Sequence, residues 1–176
     1  KVGVGAGSPE DPGDLIKLGT ETPHYPFSIN MGVEWRSFDF SMFWQGVGYR
    51  KYLINSARFG PLVDGTPLTI HRDHWREDNQ DAYFARLTGY MGFNYHVSDR
   101  WLQNGAYLRL KNIQLGYKVP IPENIISSLR IYVTGVDVWE YTKTSFKAFD
   151  PETPNSQNLA YYPFFRTWAL GVNLTL

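Results

Sequence analysis

The sequence contains no cysteine among its 176 residues, which excludes disulfide bonds, thiolate metal sites and cysteine nucleophiles. Acidic and basic residues are equal in number, at 17 each, so nothing in the net charge favours nucleic acid as a partner. The chain also lacks a run of about 18 consecutive apolar residues, the length that a membrane helix requires. Aromatic residues, in contrast, are abundant at 16%, and many of them lie in segments of alternating polarity.

The last segment, residues 165–176, shows this alternation clearly. Its apolar residues occupy every second position from Trp168 to Leu176, and small or polar residues lie between them. A period of two predicts a strand whose two faces have different surroundings. Such a strand fits a soluble β-sandwich, or a membrane barrel in which the apolar face meets lipid and the small, polar face lines a lumen.

Four earlier segments complete an all-β prediction of five antiparallel strands. Residues 25–35 and 38–49 form one hairpin, and residues 107–118 and 129–141 form another. Each strand of the first hairpin has about the 9–11 residues that cross a bilayer when tilted. The predicted lipid-facing residues are Tyr25, Phe27, Ile29, Met31, Val33, Trp35, Phe38, Phe40, Met42, Trp168, Leu170, Val172, Leu174 and Leu176. Tyr25 and Trp35 stand at opposite ends of this face, as interfacial aromatic residues do.

The second hairpin changes phase near Asn112 and Gly135. Apolar residues alternate in one phase near the turn, but Leu108 and Leu110 in one strand, and Val136 and Val138 in the other, follow the opposite phase. A β-bulge at this height would explain the change. Alternatively, the lipid face ends there, and Arg109, Lys111 and Asp137 point outward above it.

The connections sort by length onto two sides of the predicted sheet. Residues 36–37 and 119–128 are short turns, whereas residues 50–104 and 142–161 are long and irregular, and residues 1–23 form a glycine- and proline-rich arm. Barrels of the outer membrane have short periplasmic turns and long extracellular loops. This sorting predicts that the arm and the long loops are extracellular and that the C-terminus is periplasmic.

No pattern of catalytic or metal-binding residues is evident. His71 and His74 lie near three aspartates, but their spacing fits no zinc motif, and we expect a solvated loop there. Asp150 and Glu152 flank a proline, and a turn is the simpler interpretation. We predict no enzyme activity, no cofactor and no metal site.

Several motifs, in order, resemble one protein family. They include Phe43-Trp44-Gln45-Gly46-Val47-Gly48, the run from Trp101 to Tyr117, and Phe149-Asp150-Pro151-Glu152. From about Thr22 onward the chain resembles the C-terminal part of SusC/RagA-like TonB-dependent outer-membrane transporters of the Bacteroidota. It departs from the family at Gln80 and Ala85, where proline is frequent, and at Leu176, where an aromatic residue is usual.

The resemblance implies a barrel of about 22 strands filled by an N-terminal plug. Five strands supply only part of such a wall, and open edges are intolerable in lipid. We therefore expect residues 24–176 to be a transmembrane β-barrel segment, completed by the remainder of the barrel and plug. The implied partners are a SusD-like surface lipoprotein, outer-membrane lipid, and TonB through the absent N-terminal region.

The predicted function is import of oligosaccharides or oligopeptides across the bacterial outer membrane. Aromatic and charged residues of the outer loops suit contact with a substrate or a lid. The candidate contact residues are Trp75, Arg76, Asp78, Asp81, Tyr83, Arg86, Tyr90 and Trp101. The alternatives are a soluble β-sandwich carbohydrate-binding module, and a structural barrel or adhesin.

Overall fold

A computed structural model describes residues 17–53, 62, 67, 69–89, 98–122, 127–145, 150–152 and 165–175. Seven strands occur in this part of the chain. They are β1 (His24–Trp35), β2 (Phe38–Tyr49), β3 (Lys51–Leu53), β4 (Leu102–Asn104), β5 (Tyr107–Val119), β6 (Ser128–Thr142) and β7 (Thr167–Thr175). The five long strands form one sheet in the order β1-β2-β5-β6-β7, and every neighbouring pair is antiparallel. The prediction of an all-β antiparallel sheet is confirmed.

The short connections lie at one end of the sheet, which we call the turn end. Arg36 and Ser37 join β1 to β2, and Arg36 adopts a positive φ of 55° in this tight reversal. The amide of Lys118 donates a hydrogen bond of 2.7 Å to the Ser37 carbonyl, which ties the first hairpin to β5. The opposite end carries the long connections, and we call it the loop end.

The register gives the sheet one apolar and one polar face, because paired residues on neighbouring strands point to the same side. One rung of paired residues consists of Val33, Phe40, Leu115, Val133 and Leu170. The next rung consists of Gly32, Ser41, Gln114, Thr134 and Ala169. The alternation predicted for single strands therefore extends across all five strands in register.

The predicted bulge is present in both strands of the second hairpin. The pairing of β5 with β6 steps from Leu110–Trp139 to Asn112–Val136, and Asp137 takes a positive φ of 53°. Relative to β2, strand β5 also has one extra residue, Lys111. The bulges reset the phase, so that the apolar face continues toward the loop end.

Two details of the predicted phase change are wrong. Val136 pairs with Asn112 on the polar face, and the residues of β6 that pair on the apolar face beyond the bulge are Trp139 and Tyr141. Arg109 pairs in register with Gln45 and lies on the polar face, so it does not point outward as the alternative prediction required. The error arose because the bulge lies after Val136 rather than at Gly135.

The connection between β2 and β5 is more ordered than predicted. Strands β3 and β4 pair as a small second sheet at the loop end, and 3-10 helices form at Thr69–Arg72 and Asp99–Trp101. Phe84 and Trp101, exposed by only 2% and 1%, form a core cluster beside this small sheet. The loop end therefore has a packed interior, which the sequence did not reveal.

The long sheet itself is open within the described residues. β1 and β7 each pair along one side, and β1 is exposed along its whole length. In the part of the chain described, no helix is long and apolar enough to cross a membrane. Residues 1–16 of the predicted arm, parts of both long loops, Tyr90 and Leu176 lie outside the described residues.

Candidate functional site

The loop end contains a compact segment, residues 69–89, in which Asp73 organises the backbone. Its side chain accepts hydrogen bonds of 3.2 Å from the Asn79 side-chain amide and from the Tyr83 backbone N–H. These two donors stabilise the ionised carboxylate and lower the pKa of Asp73 below its ordinary value of 3.8. The Phe84 N–H donates to the Asp73 carbonyl, and the Trp75 N–H donates to the Phe84 carbonyl. Asp73 thus holds the turn formed by residues 73–84.

Aromatic contacts fix this segment to the core cluster. The ring of Tyr83 lies 5.8 Å from that of Trp101, and the ring of His71 lies 4.8 Å from that of Phe84, both in edge-to-face geometry. The expectation of a solvated His71 is wrong, because its exposed fraction is 2%. Burial raises the pKa of Tyr83, against the opposing effect of a hydrogen bond from Gln103. The neutral phenol donates to the Arg100 carbonyl at 2.8 Å.

The predicted contact residues fall into two groups. Trp75 is 38% exposed, and Arg76, Asp78, Asp81 and Arg86 are also exposed, so these five can meet a ligand or a partner. The Arg76 guanidinium and the Asp78 carboxylate form an exposed ion pair at 3.1 Å. Trp101 is a core residue, and Tyr83 is half-buried beside it. Tyr90, the eighth candidate, is outside the described residues.

Sequence reasoning missed an ionic cluster on the polar face at the loop end. Arg109, with a side chain only 2% exposed, forms ion pairs with Glu140 of the neighbouring strand and with Asp150 and Glu152 of the β6–β7 connection. The pairs with Asp150 and Glu152 measure 2.6 and 3.2 Å. Lys111 lies beside it and pairs with Glu152 at 2.8 Å and with Asp137 at 3.3 Å. Six charged side chains therefore meet where the bulges shift the register.

A second buried arginine joins this cluster to other parts of the loop end. Arg50 is 7% exposed; its Nη1 donates to the Pro151 carbonyl at 2.9 Å, and its Nε donates to the Glu21 carbonyl at 3.1 Å. Its guanidinium also lies 5.8 Å from the centre of the Tyr52 ring. Burial raises the pKa of Tyr52, and a hydrogen bond with Thr144 opposes that effect. The loop end is thus held by buried polar contacts as well as by its small apolar core.

The charge pattern of the second hairpin could have indicated the cluster. Arg109 and Glu140 have opposite charges and are directly paired, in the part of each strand nearest the long connections. Opposite charges in such positions stabilise a sheet. The other two pairs have no local signal. Asp150 lies 41 residues beyond Arg109, and Glu152 lies 41 residues beyond Lys111.

The exposed side chains of the loop end are of types that can bind a ligand. Among the described residues, no three or more histidines and carboxylates are grouped in a way that could hold a metal ion. What the loop end offers to solvent is an indole, guanidinium groups and carboxylates on a fixed turn. These groups can stack on rings and form hydrogen bonds with sugars or peptides.

Sequence comparisons find similarity between this chain and two TonB-dependent receptors. No family model matches the chain. It is 23% identical to TonB-dependent receptor P26 of Formosa agariphila over an alignment 184 positions long, and 25% identical to TonB-dependent receptor P3 of that organism over one of 175 positions. These alignments cover 92% and 89% of this chain but 18% and 17% of the relatives.

Solved structures described as the RagAB peptide importer share the fold. In the "open-open" state the TM-score is 0.64 at 22% identity, covering 88% of this chain and 17% of that chain. In the "closed-closed" state the TM-score is 0.63 at 23% identity, with 87% and 17% covered. The resemblance to TonB-dependent transporters that the motifs predicted is confirmed over most of the chain.

Proposed function

We propose, from its similarity to TonB-dependent receptors, that this chain is the C-terminal part of a SusC/RagA-like importer of the bacterial outer membrane. The observation that carries the proposal is the continuous apolar face of the five-stranded sheet. A rung of five apolar residues next to a rung of five small or polar residues is what a barrel wall between lipid and an aqueous lumen requires.

Exposure of the apolar face supports lipid as its surroundings. Tyr25, Trp35 and Leu170 are exposed by 77%, 64% and 77%, although each is a large hydrophobic side chain. Exposed apolar patches of this extent are rare in soluble monomers. The proposed lipid-facing residues are those predicted from the sequence, of which Phe40 and Met42 are half-buried.

A soluble carbohydrate-binding sandwich would cover this face with a second sheet. In the described residues the second sheet is the three-residue pair of β3 and β4, which lies at the loop end. The free sides of β1 and β7 also need strand partners, because unpaired backbone groups are costly in lipid. In the proposal, the remainder of the barrel supplies these partners, and the plug occupies the lumen beside the polar face.

The loop end is proposed to be extracellular, which places the turn end and the C-terminus in the periplasm. Trp75, Arg76, Asp78, Asp81 and Arg86 then face outward, where a substrate or a SusD-like surface lipoprotein would meet them. The structural neighbours are described as a peptide importer. We infer oligopeptides or oligosaccharides as the substrate class, with TonB acting on the N-terminal region, and no bond-making step.

The wall assignment is tested by labelling single cysteines; this chain contains no cysteine, and any cysteine elsewhere in the transporter is first replaced by serine. A single cysteine is placed at Leu170 or, as a matched control, at Ala169, in the complete transporter reconstituted in phospholipid vesicles. A fluorophore attached at position 170 should be quenched by brominated lipid chains, and one at position 169 by aqueous iodide. Equal accessibility of both sites to iodide, without quenching by lipid, would contradict the barrel wall.

Import itself is tested in the host bacterium. Deletion of the gene should abolish growth on a peptide or oligosaccharide that supports the parent strain, and the complete gene should restore it. If growth on every such substrate is unchanged, the structural-barrel alternative is favoured.

A further inference from the structure

The segment Asp150–Pro151–Glu152 is held at three consecutive residues by three cationic side chains. Arg109 pairs with Asp150 at 2.6 Å and with Glu152 at 3.2 Å, and Lys111 donates to Glu152 at 2.8 Å. Arg50 donates to the Pro151 carbonyl at 2.9 Å. The segment also closes its own turn, because the Glu152 N–H donates to the Asp150 side chain at 2.8 Å. We call these six residues the clasp.

The clasp lies on the polar face of the sheet. Arg109 is paired in register with Gln45 of β2 and Glu140 of β6, whose side chains share that face. Arg109 is nonetheless 1% exposed, and Pro151 is fully buried. At the turn end the same face holds another ion pair, between Asp39 and Arg130, whose side chains keep 21% and 20% of their exposure. Arg109 is less exposed than Arg130 because residues 150–152 of the β6–β7 connection cover it.

The route of that connection is unexpected. It leaves β6 at Thr142 and must return to β7 at Thr167, on one side of β6. Its clasped residues instead contact β5, on the other side of β6, and Arg50 beyond the end of β2. Residues 150–152 therefore lie over the polar face on the side of β6 away from β7.

We propose that the clasp makes residues 150–152 a fixed inner rim at the outer mouth of the lumen, with Arg109 as its positioning residue. This inference rests on the proposed function, because the polar face lines a lumen only if the sheet is a barrel wall. The rim is fixed because the Arg109 side chain is shielded from water, and removing its carboxylate partners would leave a charged group poorly solvated. A substrate that enters the lumen passes this rim.

The first experiment tests the clasp in the purified complete transporter. The double variant Asp150→Asn, Glu152→Gln removes both rim charges but keeps their shape, and Glu140 and Asp137 still balance Arg109 and Lys111 on the wall. Hydrogen exchange of the Glu152 amide should accelerate about tenfold or more, as expected when hydrogen bonds to charged groups are lost. Peptides from β5 and β6 should retain their protection.

The matched control is Asp39→Asn, which breaks the ion pair on the same face at the turn end. It should leave exchange at Glu152 unchanged. Unchanged exchange in the double variant would overturn the clasp, and so would equal acceleration in the control.

The second experiment asks whether the rim acts on substrate. Uptake of a protein-derived tryptic peptide digest is measured in host cells over a range of concentrations. The double variant should raise the half-saturating concentration several-fold more than it lowers the maximal rate, whereas a purely structural defect would lower only the rate through loss of assembled transporter. A rate-only effect would overturn the positioning role.

Different results would contradict the importer hypothesis and the clasp hypothesis. Parent cells that take up neither this digest nor an oligosaccharide mixture would overturn the importer and the rim's role in it. The exchange experiment would still decide whether the clasp exists.

Discussion

The long sheet and the loop end of this molecule differ in how their side chains are surrounded. Along the five long strands, large apolar side chains such as Leu170 remain 77% exposed, and their neighbours in the sheet are other strands rather than a core. At the loop end, Phe84 is 2% exposed, and the surrounding aromatic rings and buried arginines form an interior. Under the proposed function, the long sheet depends on lipid and on further strands, whereas the described residues of the loop end contact one another.

This difference indicates where mutations act. A barrel wall tolerates change on its lumen face and is sensitive to charge on its lipid face. A packed loop end responds as a soluble core does, through cavities and lost contacts. A mutation that destabilises the long sheet should therefore leave the loop end largely intact, and the reverse should also hold. The four predictions below test whether the two regions respond independently.

The largest effect is expected from Trp101→Ala. Removing a side chain that is 1% exposed from beside Phe84 should destabilise the loop end by about 3–5 kcal/mol, because a cavity remains. Hydrogen exchange at Tyr83 and Phe84 reports this loss. Trp75→Ala, which removes the same side chain from an exposed position, should change it little. If hydrogen exchange in β6 and β7 rose equally, the long sheet and the loop end would not be independent in stability.

Leu170→Arg should be nearly as damaging, but to the long sheet. A charged side chain near the middle of a lipid-facing strand costs about 2–4 kcal/mol, depending on its depth in the bilayer. Denaturant titration of the transporter folding into phospholipid vesicles measures this cost. Ala169→Arg, one residue away on the polar face, should cost far less. Similar costs for both variants would mean that the two faces have similar surroundings.

The sequence predicted the long sheet well because, away from the bulges, whether a residue occupies an odd or an even position decides which face of the sheet it lies on. The alternation from Tyr25 to Trp35 is local, and the phase change near Gly135 located a bulge to within a few residues. Its position was wrong because a bulge depends on backbone geometry, such as the positive φ at Asp137, which apolar spacing does not encode.

The loop end could not be predicted in the same way. Trp101 was expected to be a contact residue, and it is a core residue, because residue type alone does not tell on which side of an irregular segment a ring packs. The hydrogen bond from Gln103 to Tyr83 spans 20 residues, and the pairs of Arg109 and Lys111 with the β6–β7 connection span 41. No short-range pattern specifies contacts of that separation. Asp150 and Glu152 were recognised as a turn, but their role in holding it was not.

Glycines in β1 and β2 allow a finer test within the long sheet. A β-carbon added at Gly46 would lie 2.8 Å from the Tyr107 carbonyl oxygen and 2.5 Å from the Phe27 ring. Gly46→Ala should therefore cost about 1–3 kcal/mol through overpacking, since the backbone oxygen cannot move freely. At Gly32 the nearest atom would be 3.7 Å away, so Gly32→Ala should be neutral or slightly stabilising. Vesicle folding titrations compare the two variants, and equal losses would contradict the steric argument.

The smallest effect concerns pH and belongs to the loop end alone. The pKa of Asp73 is lowered in the folded protein, chiefly by the hydrogen bond from the Asn79 side chain and then by the Tyr83 N–H. A depressed folded pKa contributes stability that is present above the ordinary value of 3.8 and is lost as the pH falls through the lower folded value. Acidification below about pH 4 should therefore loosen the turn at residues 73–84.

Hydrogen exchange at Tyr83, corrected for the intrinsic effect of pH, measures this loosening. The Asp73→Asn variant has no carboxylate to protonate, so its corrected exchange should be faster at neutral pH and show no step below pH 4. Because Asp73 is exposed, the step should be small and confined to this turn, with β5 and β6 unaffected. A step that persisted in Asp73→Asn would assign the pH response to another group. A step that reached β5 and β6 would instead show that the loop end and the long sheet unfold together.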